Sequence, residues 1–259
     1  MKFWNFKAKD KDTGELMLYG DISSSTWWGD EVTPKDFKKD LDALGDIKNL
    51  NIYINSGGGD VFAGQAIHSM LKRHTASKTV YIDGLAASIA SVIAMAGDKV
   101  IMPKNAMMMI HNAWTFAAGN KEDFRKLADD MEKIDESIVT IYTDKTGMTA
   151  EEIKALMEAE TWFTAEEAIE KGFADEIEQE KKLAASIDGS FLMLNNQKFD
   201  LGRYKNKPEV EEFEPEKPKE EPESNENGGE SQPISDNLKD QKDQFNKLTI
   251  KIHDYKEEN

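Results

Sequence analysis

Three short segments hold residue types that can carry out acyl transfer: INSGGG at 54–59, GLAASIAS at 84–91 and MMMIHNA at 107–113. A serine hydroxyl is a poor nucleophile at neutral pH and needs a base within hydrogen-bond reach. The small-residue run offers two serines, Ser88 and Ser91, either of which can open a helix or simply let elements pack closely. Histidine is the usual base, because its pKa lies near working pH. Of the four histidines, His68 and His74 fall on a helix with a solvent side, and His253 falls near the C-terminus. His111 is different, because it directly follows the apolar run Ala106–Ile110.

Each segment also has an ordinary reading. A glycine cluster is commonly a turn, Ser88 a helix cap, and His111 a satisfied core histidine. The run Met107–Met109 reads as packing. The glycines lack the Lys-Ser/Thr pair of a phosphate loop, since Asp60 and Val61 come next, and they lack the spacing of a dinucleotide fingerprint. Main-chain N–H groups aimed at a developing oxyanion fit them better. The segments gain weight together because each stands where a strand should end, and open α/β sheets bind ligands at the carboxyl ends of strands.

The elements that must position them follow from periodicity. The stretches 48–56 and 78–84 read as short strands, and a third run from Lys99 is interrupted at Pro103 before resuming at Ala106–Ile110. Between the first two strands, 61–74 carries Val61, Phe62, Ala66, Ile67, Met70 and Leu71 on one helical stripe. A small-residue helix is expected at about 88–97, stopped by Gly97. This order implies an α/β fold with crossover connections and a largely parallel sheet. The strongest helical pattern runs over 121–145, with Phe124, Leu127, Met131, Ile134, Ile138, Ile141 and Tyr142 in register and Gly147 at its end. Such a helix either covers the sheet or pairs with its copy in another subunit. Capping boxes follow at Thr149–Glu152 and Thr164–Glu167.

Composition sets the outer limits. The formal net charge of −17 argues against nucleic-acid or anionic-membrane partners, which need basic surface. Cysteine is absent, which removes disulfides, thiolate metal sites and cysteine catalysis. The first residues lack the apolar core of a signal peptide, and the apolar stretch Leu85–Ala96 is too short to span a bilayer, so a cytosolic protein is expected. Hydrophobic residues make up 39%, low for a wholly packed chain, and five of the seven prolines lie between Pro208 and Pro233. We therefore divide the chain into a folded domain at 1–203, a disordered acidic Pro/Glu-rich linker at 204–236 and a short segment at 237–259, either a docking element or a frayed end.

In order and spacing, IYINSGGG, GLAASIASVIAMAG, MMMIHNA and ETWFTAEEAIEKGFADEI resemble the proteolytic subunit of the Clp protease family over about residues 15–180. That family shows INSPGG, a GxAAS segment with the nucleophile, M-I-H-Q with the base, and an acid shortly before S-A-x-E-A-x-x-x-G-x-x-D. The resemblance implies Ser88 as nucleophile, His111 as general base, and the amides of Gly59 and Ile89 as oxyanion donors. The family's proline is Gly57 here, and Asn112 stands in place of glutamine. The usual aspartate aligns with Glu160, with Glu158 the next candidate.

The resemblance further implies a spiral of β-β-α units (the fold shared with the crotonase superfamily), a projecting long helix at 121–145, and a homo-oligomer of rings stacked through that helix. It implies a serine endopeptidase acting on protein or peptide substrates, with no cofactor and no metal. The Ser88/His111 pair argues against crotonase-type acyl-CoA chemistry. Residues 2–41 resemble the Clp-like proteases of phage head-assembly modules more than the housekeeping subunit, and the acidic tail fits that variant. Capsid or scaffold protein is then the expected partner, in host cytoplasm or procapsid. The alternatives are a degradative peptidase working with an ATPase, and a catalytically silent assembly subunit.

Overall fold

The computed structural model describes residues 2–23, 33–178, 185–188, 191–194 and 197–202. The expected linker at 204–236 and the segment at 237–259 lie outside the described residues. Strands β1 (Trp4–Ala8) and β2 (Thr13–Tyr19) form an antiparallel hairpin. Helix α1 (Pro34–Asp42) follows, with a capping box between Thr33 and Asp36 and proline in its first turn. Next come β3 (Asn49–Ser56), α2 (Val61–Arg73), β4 (Ser77–Ala87) and α3 (Ile89–Ala94). Strands β5 (Lys99–Pro103) and β6 (Met107–Ile110) precede the long helix α4 (Lys121–Thr146). The remainder is α5 (Ala150–Glu158), β7 (Thr161–Phe163), α6 (Ala165–Glu170) and β8 (Glu176–Glu178), then three short strands, β9 (Ala185–Asp188), β10 (Phe191–Leu194) and β11 (Gln197–Asp200).

The fold is α/β around a mixed sheet of order β1-β2-β3-β4-β5-β8, with β6 paired to β4 and β7 paired to β6. The β2–β3, β3–β4, β4–β5, β4–β6 and β5–β8 pairs are parallel, so the expected crossovers through α2 and α3 are present. Leu50, Ile52 and Ile54 of β3 alternate into the core, as a strand's period of two requires. Beneath them Ile67 and Leu71 of α2 are buried.

The run from Lys99 forms two strands that use different halves of β4. Strand β5 pairs with Thr79–Tyr81, whereas β6 pairs with Leu85–Ala87. Pro103 ends the first because it cannot donate to a continuing ladder. The small-residue helix is shorter than expected, Ile89–Ala94 rather than 88–97, with its last turn tightened by bonds such as Ala96 N–H to Ile93 C=O.

Two expected stripes are only partly buried. On α2, Phe62 is 67% exposed, and the buried face is Ala63, Gly64, Ile67 and Leu71. On α4, Ile138, Val139 and Tyr142 are buried, while Phe124 is 49% exposed and Leu127 and Met131 are half-buried. The first half of α4 thus carries its apolar stripe away from the core. Gly147, at φ 72°, ends the helix as expected. Both capping boxes form. The small sheet β9–β10–β11 packs Leu192 and Phe199, with Leu201 beside them, against Leu85, Ala87 and Met109, bracing the end of β4 and β6.

Candidate active site

The register between β4 and β6 decides where the expected residues meet. Ala87 stands opposite Met109, and the N–H of Ser88 extends the pairing by donating to the Met109 carbonyl at 2.9 Å. Ser88 and His111 therefore leave two adjacent parallel strands at one rim of the sheet. Their side chains meet there, with Ser88 Oγ 2.8 Å from His111 Nε2.

Ser88 occupies the N-cap position of α3, yet its side chain makes no capping hydrogen bond. Its backbone stands at φ 55° and ψ −132°, a region sparsely populated by residues with a side chain. The sharp turn swings the hydroxyl off the helix end and toward the imidazole. Ser91 has a different fate. It is wholly buried, its Oγ donates to the Ser88 carbonyl at 2.6 Å, and it lies 2.8 Å from Tyr142 Oη. Of the two serines, the structure brings Ser88 to a base.

The glycine loop lies directly against this turn. A Cβ built on Gly58 would stand 2.6 Å from Ser88 Cβ and 3.1 Å from its Oγ, so only glycine allows the loop to approach so closely. Ile22 clamps the loop from the other side through a short parallel bridge. Its N–H donates to the Gly58 carbonyl at 2.8 Å, and its carbonyl accepts from Asp60 N–H at 2.8 Å. That pattern leaves the Gly59 N–H outside the bridge. The Ile89 N–H, first in α3, is among the helix-start donors that have no acceptor within the helix. Asp60 caps α2 through Ala63 N–H at 2.9 Å.

Glu160 Oε2 lies 3.8 Å from His111 Nδ1, with the two side chains 11% and 9% exposed. Glu160 follows α5 in a left-handed conformation, φ 51°, which turns its carboxylate back toward the imidazole. Glu158 ends α5 with an exposed side chain. The placement of Glu160 fits a carboxylate that orients the imidazole and faces its Nδ1.

Other residues shape the site without having been singled out by sequence. Asp135 of α4 accepts from the Ala113 N–H at 2.7 Å, tying the segment after His111 to the long helix. Burial pushes the Asp135 carboxyl above the usual range, partly offset by that hydrogen bond. Tyr142 appears in sequence only as part of an apolar stripe, whereas its hydroxyl bonds Ser91 beneath the Ser88 turn. Ser88, Ile89, Val92, His111, Trp114 and Ile138 line a small, mostly apolar recess beside the hydroxyl. Among the described residues, no group of three His, Asp or Glu side chains is arranged to hold a metal ion. Nor is any helix among them long and apolar enough to cross a membrane.

The family model described as Clp protease matches residues 39–181, more than half of the chain. The chain is similar to proteins named "ATP-dependent Clp protease proteolytic subunit" from several bacteria. Similarity to that of Bacteroides fragilis is 34% identity over 140 residues, 53% of this chain and 67% of the relative. For a second strain of that species the same match covers 63% of the relative. For Deinococcus radiodurans the identity is 32% over 140 residues, 53% of this chain and 68% of the relative. For Ligilactobacillus salivarius it is 35% over 145 residues, 55% of this chain and 73% of the relative.

Proposed function

Since the chain belongs to the Clp protease family, we propose that it is a serine endopeptidase with Ser88 as nucleophile, His111 as general base and Glu160 as the orienting acid. The observation that carries this reading is the 2.8 Å contact between Ser88 Oγ and His111 Nε2, made by a serine whose backbone is held at φ 55°. Ser88 Oγ attacks the peptide carbonyl carbon, and its proton passes to His111 Nε2. The carbonyl oxygen becomes an oxyanion, received by the N–H groups of Gly59 and Ile89. As the C–N bond breaks, His111 returns the proton to the leaving amine. Water then attacks the acyl-serine ester with His111 again accepting the proton, and Ser88 is regenerated. Glu160, facing Nδ1, holds the ring with Nε2 free to accept and stabilises the imidazolium. The apolar recess beside Ser88 supports a substrate side chain of hydrophobic character.

We further propose that the chain works as a homo-oligomeric ring. The apolar stripe on the first half of α4, with Phe124 49% exposed, supports pairing between copies. For substrate we favour capsid or scaffold protein in phage head maturation. Support comes from the resemblance of residues 2–41 and from the acidic, proline-rich composition after residue 204, taken as a separate linker. The relatives' printed names support a second reading, partnership with an ATPase.

A fluorophosphonate probe tests the chemistry. Labelling at Ser88 that is lost in Ser88→Ala and reduced in His111→Ala is the expected result; an unlabelled wild type in its assembled state overturns the peptidase reading in favour of a silent assembly subunit. Co-expression with capsid protein tests the substrate. Particle-dependent cleavage is expected, whereas ATPase-stimulated degradation of casein without capsid cleavage overturns the maturation reading.

A further inference from the structure

Two buried hydroxyls have no part in the chemistry above, those of Ser91 and Tyr142, at 0% and 1% exposure. Their hydrogen-bond directions are fixed by proton count. Ser91 Oγ donates to the Ser88 carbonyl at 2.6 Å and so uses the one proton a serine has. The 2.8 Å contact between Ser91 Oγ and Tyr142 Oη must then be a bond donated by the tyrosine. The Ser88 carbonyl also accepts from the Ser91 backbone N–H at 3.0 Å, so both of its lone pairs are engaged.

That carbonyl is half of one rigid unit. The Ser88 C=O and the Ile89 N–H belong to the same planar peptide and point in opposite directions. Whatever fixes the carbonyl from below also aims the N–H above. Hydrogen bonds accepted by the oxygen draw electron density toward it and make the N–H a stronger donor, and chains of such bonds reinforce one another. The peptide adjoins a residue held at φ 55°, where a turn of the peptide plane would relieve strain. Something must hold it. Nothing about burial alone requires two hydroxyls here, since alanine and phenylalanine would fill the same space without polar groups to satisfy.

We propose that Tyr142 and Ser91 are positioning residues for peptide hydrolysis, forming a relay from Tyr142 Oη–H to Ser91 Oγ–H to the Ser88 carbonyl that aims and polarises the Ile89 N–H toward the transition-state oxyanion. The proposal rests on the reading of Ser88 as nucleophile and Ile89 as oxyanion donor. Tyr142 sits on α4 and Ser91 on α3, so the relay joins the long helix to the catalytic turn. The Tyr142 ring stays packed edge-on against Phe173 whether or not its hydroxyl is present, with centroids 5.5 Å apart. The hydroxyl can therefore be removed without emptying the core.

The test uses the full chain, a nitrophenyl ester of a short N-acylated peptide, and the boronic acid of the same peptide, which forms a tetrahedral adduct with the serine. Outright loss of an oxyanion donor costs about 10²–10³ in kcat, so weakening one predicts a drop of roughly threefold to tenfold for Tyr142→Phe and about tenfold or more for Ser91→Ala. KM should stay within about twofold, and boronate affinity should fall by the same factor as kcat, because both report the tetrahedral state. The double variant Ser91→Ala/Tyr142→Phe separates the relay from mere structure. It leaves no orphaned hydroxyl, so it should be as slow as Ser91→Ala. If instead it regains the wild-type kcat, or if the losses fall on KM with boronate affinity intact, the relay is wrong. A wild type that labels at Ser88 alongside variants of wild-type kcat overturns the relay alone; a wild type that never labels overturns the peptidase reading and the relay with it.

Discussion

Ser88 and Glu160 share a backbone property: they are the two non-glycine positions of positive φ among the described residues, at 55° and 51°. Both side chains reach the same imidazole, Ser88 at Nε2 and Glu160 at Nδ1. Strained backbone of this kind costs about 1–3 kcal/mol per residue and persists only where the surroundings over-determine it. At Ser88 the restraints are the N–H bond to Met109 and the two bonds that Ser91 makes to its carbonyl. At Glu160 the restraint is a tight turn, with the N–H donating to Met157 C=O at 3.1 Å directly before β7.

The strain can be read from two variants that are equally dead. Ser88→Ala and Ser88→Gly should both abolish hydrolysis and probe labelling. Alanine keeps the unfavourable φ, whereas glycine adopts it freely, at the cost of a more disordered unfolded chain. We expect Ser88→Gly to be more stable than Ser88→Ala by about 0.5–1 kcal/mol, measured by urea unfolding. Alanine more stable than glycine would mean the turn is relaxed.

The acid assignment separates two glutamates. Glu160→Gln keeps the shape but removes the charge facing Nδ1, and should lower kcat/KM by about 10²–10⁴. Glu158→Gln, on an exposed side chain at the end of α5, should stay within about twofold of wild type. Steady-state hydrolysis of a peptide ester decides between them. Equal losses, or a loss at Glu158 alone, would reassign the third role.

Much of this arrangement was legible in the sequence, for definable reasons. The long helix, both later capping boxes and the pair of strand ends followed from strong periodicity and local hydrogen-bond chemistry, which need no tertiary information. The β1–β2 hairpin is hard to read from sequence, because β1 is five residues long with only Trp4 and Phe6 on its core side, and lysine and aspartate crowd the connection at 9–12. Phe62 falls on the apolar stripe but outside the buried face, because helical position alone does not say which side packs against α3. Gly64 does, since a Cβ there would stand 2.2 Å from Ile89 Cγ1. The Ser91–Tyr142 bond spans 51 positions between residues whose types also suit ordinary packing, so no local pattern could have shown it.

The glycines near the site should respond differently to alanine. At Gly59, φ is 145° and a Cβ would stand 1.9 Å from the Ile22 carbonyl oxygen, a backbone atom that cannot move aside cheaply. Gly59→Ala should break the Ile22 bridge and destabilise the fold by about 3 kcal/mol or more. At Gly58 the obstructing atoms belong to Ser88 itself and to the Ala87 carbonyl, so Gly58→Ala should displace Ser88. At Gly64 the obstruction is the Ile89 side chain. Probe labelling of Ser88 should therefore fall sharply in both Gly58→Ala and Gly64→Ala. Wild-type labelling rates in either would show that the loop or α2 has more room than the structure gives it.

The last prediction concerns acid. Burial, reinforced by Lys72 on the same helix, pushes His68 down to about 4 from an ordinary value of 6.5. His74 is lowered as well, by burial first and by Lys78. Between pH 6.5 and 4 the unfolded chain therefore binds a proton at His68 that the folded chain refuses. The contribution of His68 to stability therefore rises with pH across that window and falls as the solution is acidified through it. Asp36, Asp40 and Asp98 are all held below the usual carboxylate range, so their stabilising interactions are lost only at lower pH. Urea midpoints measured at pH 5 and pH 7 should differ in the wild type, with the lower midpoint at pH 5, and the difference should shrink in His68→Gln. The same pH dependence in both proteins would show that His68 is not the group whose burial makes the fold acid-sensitive.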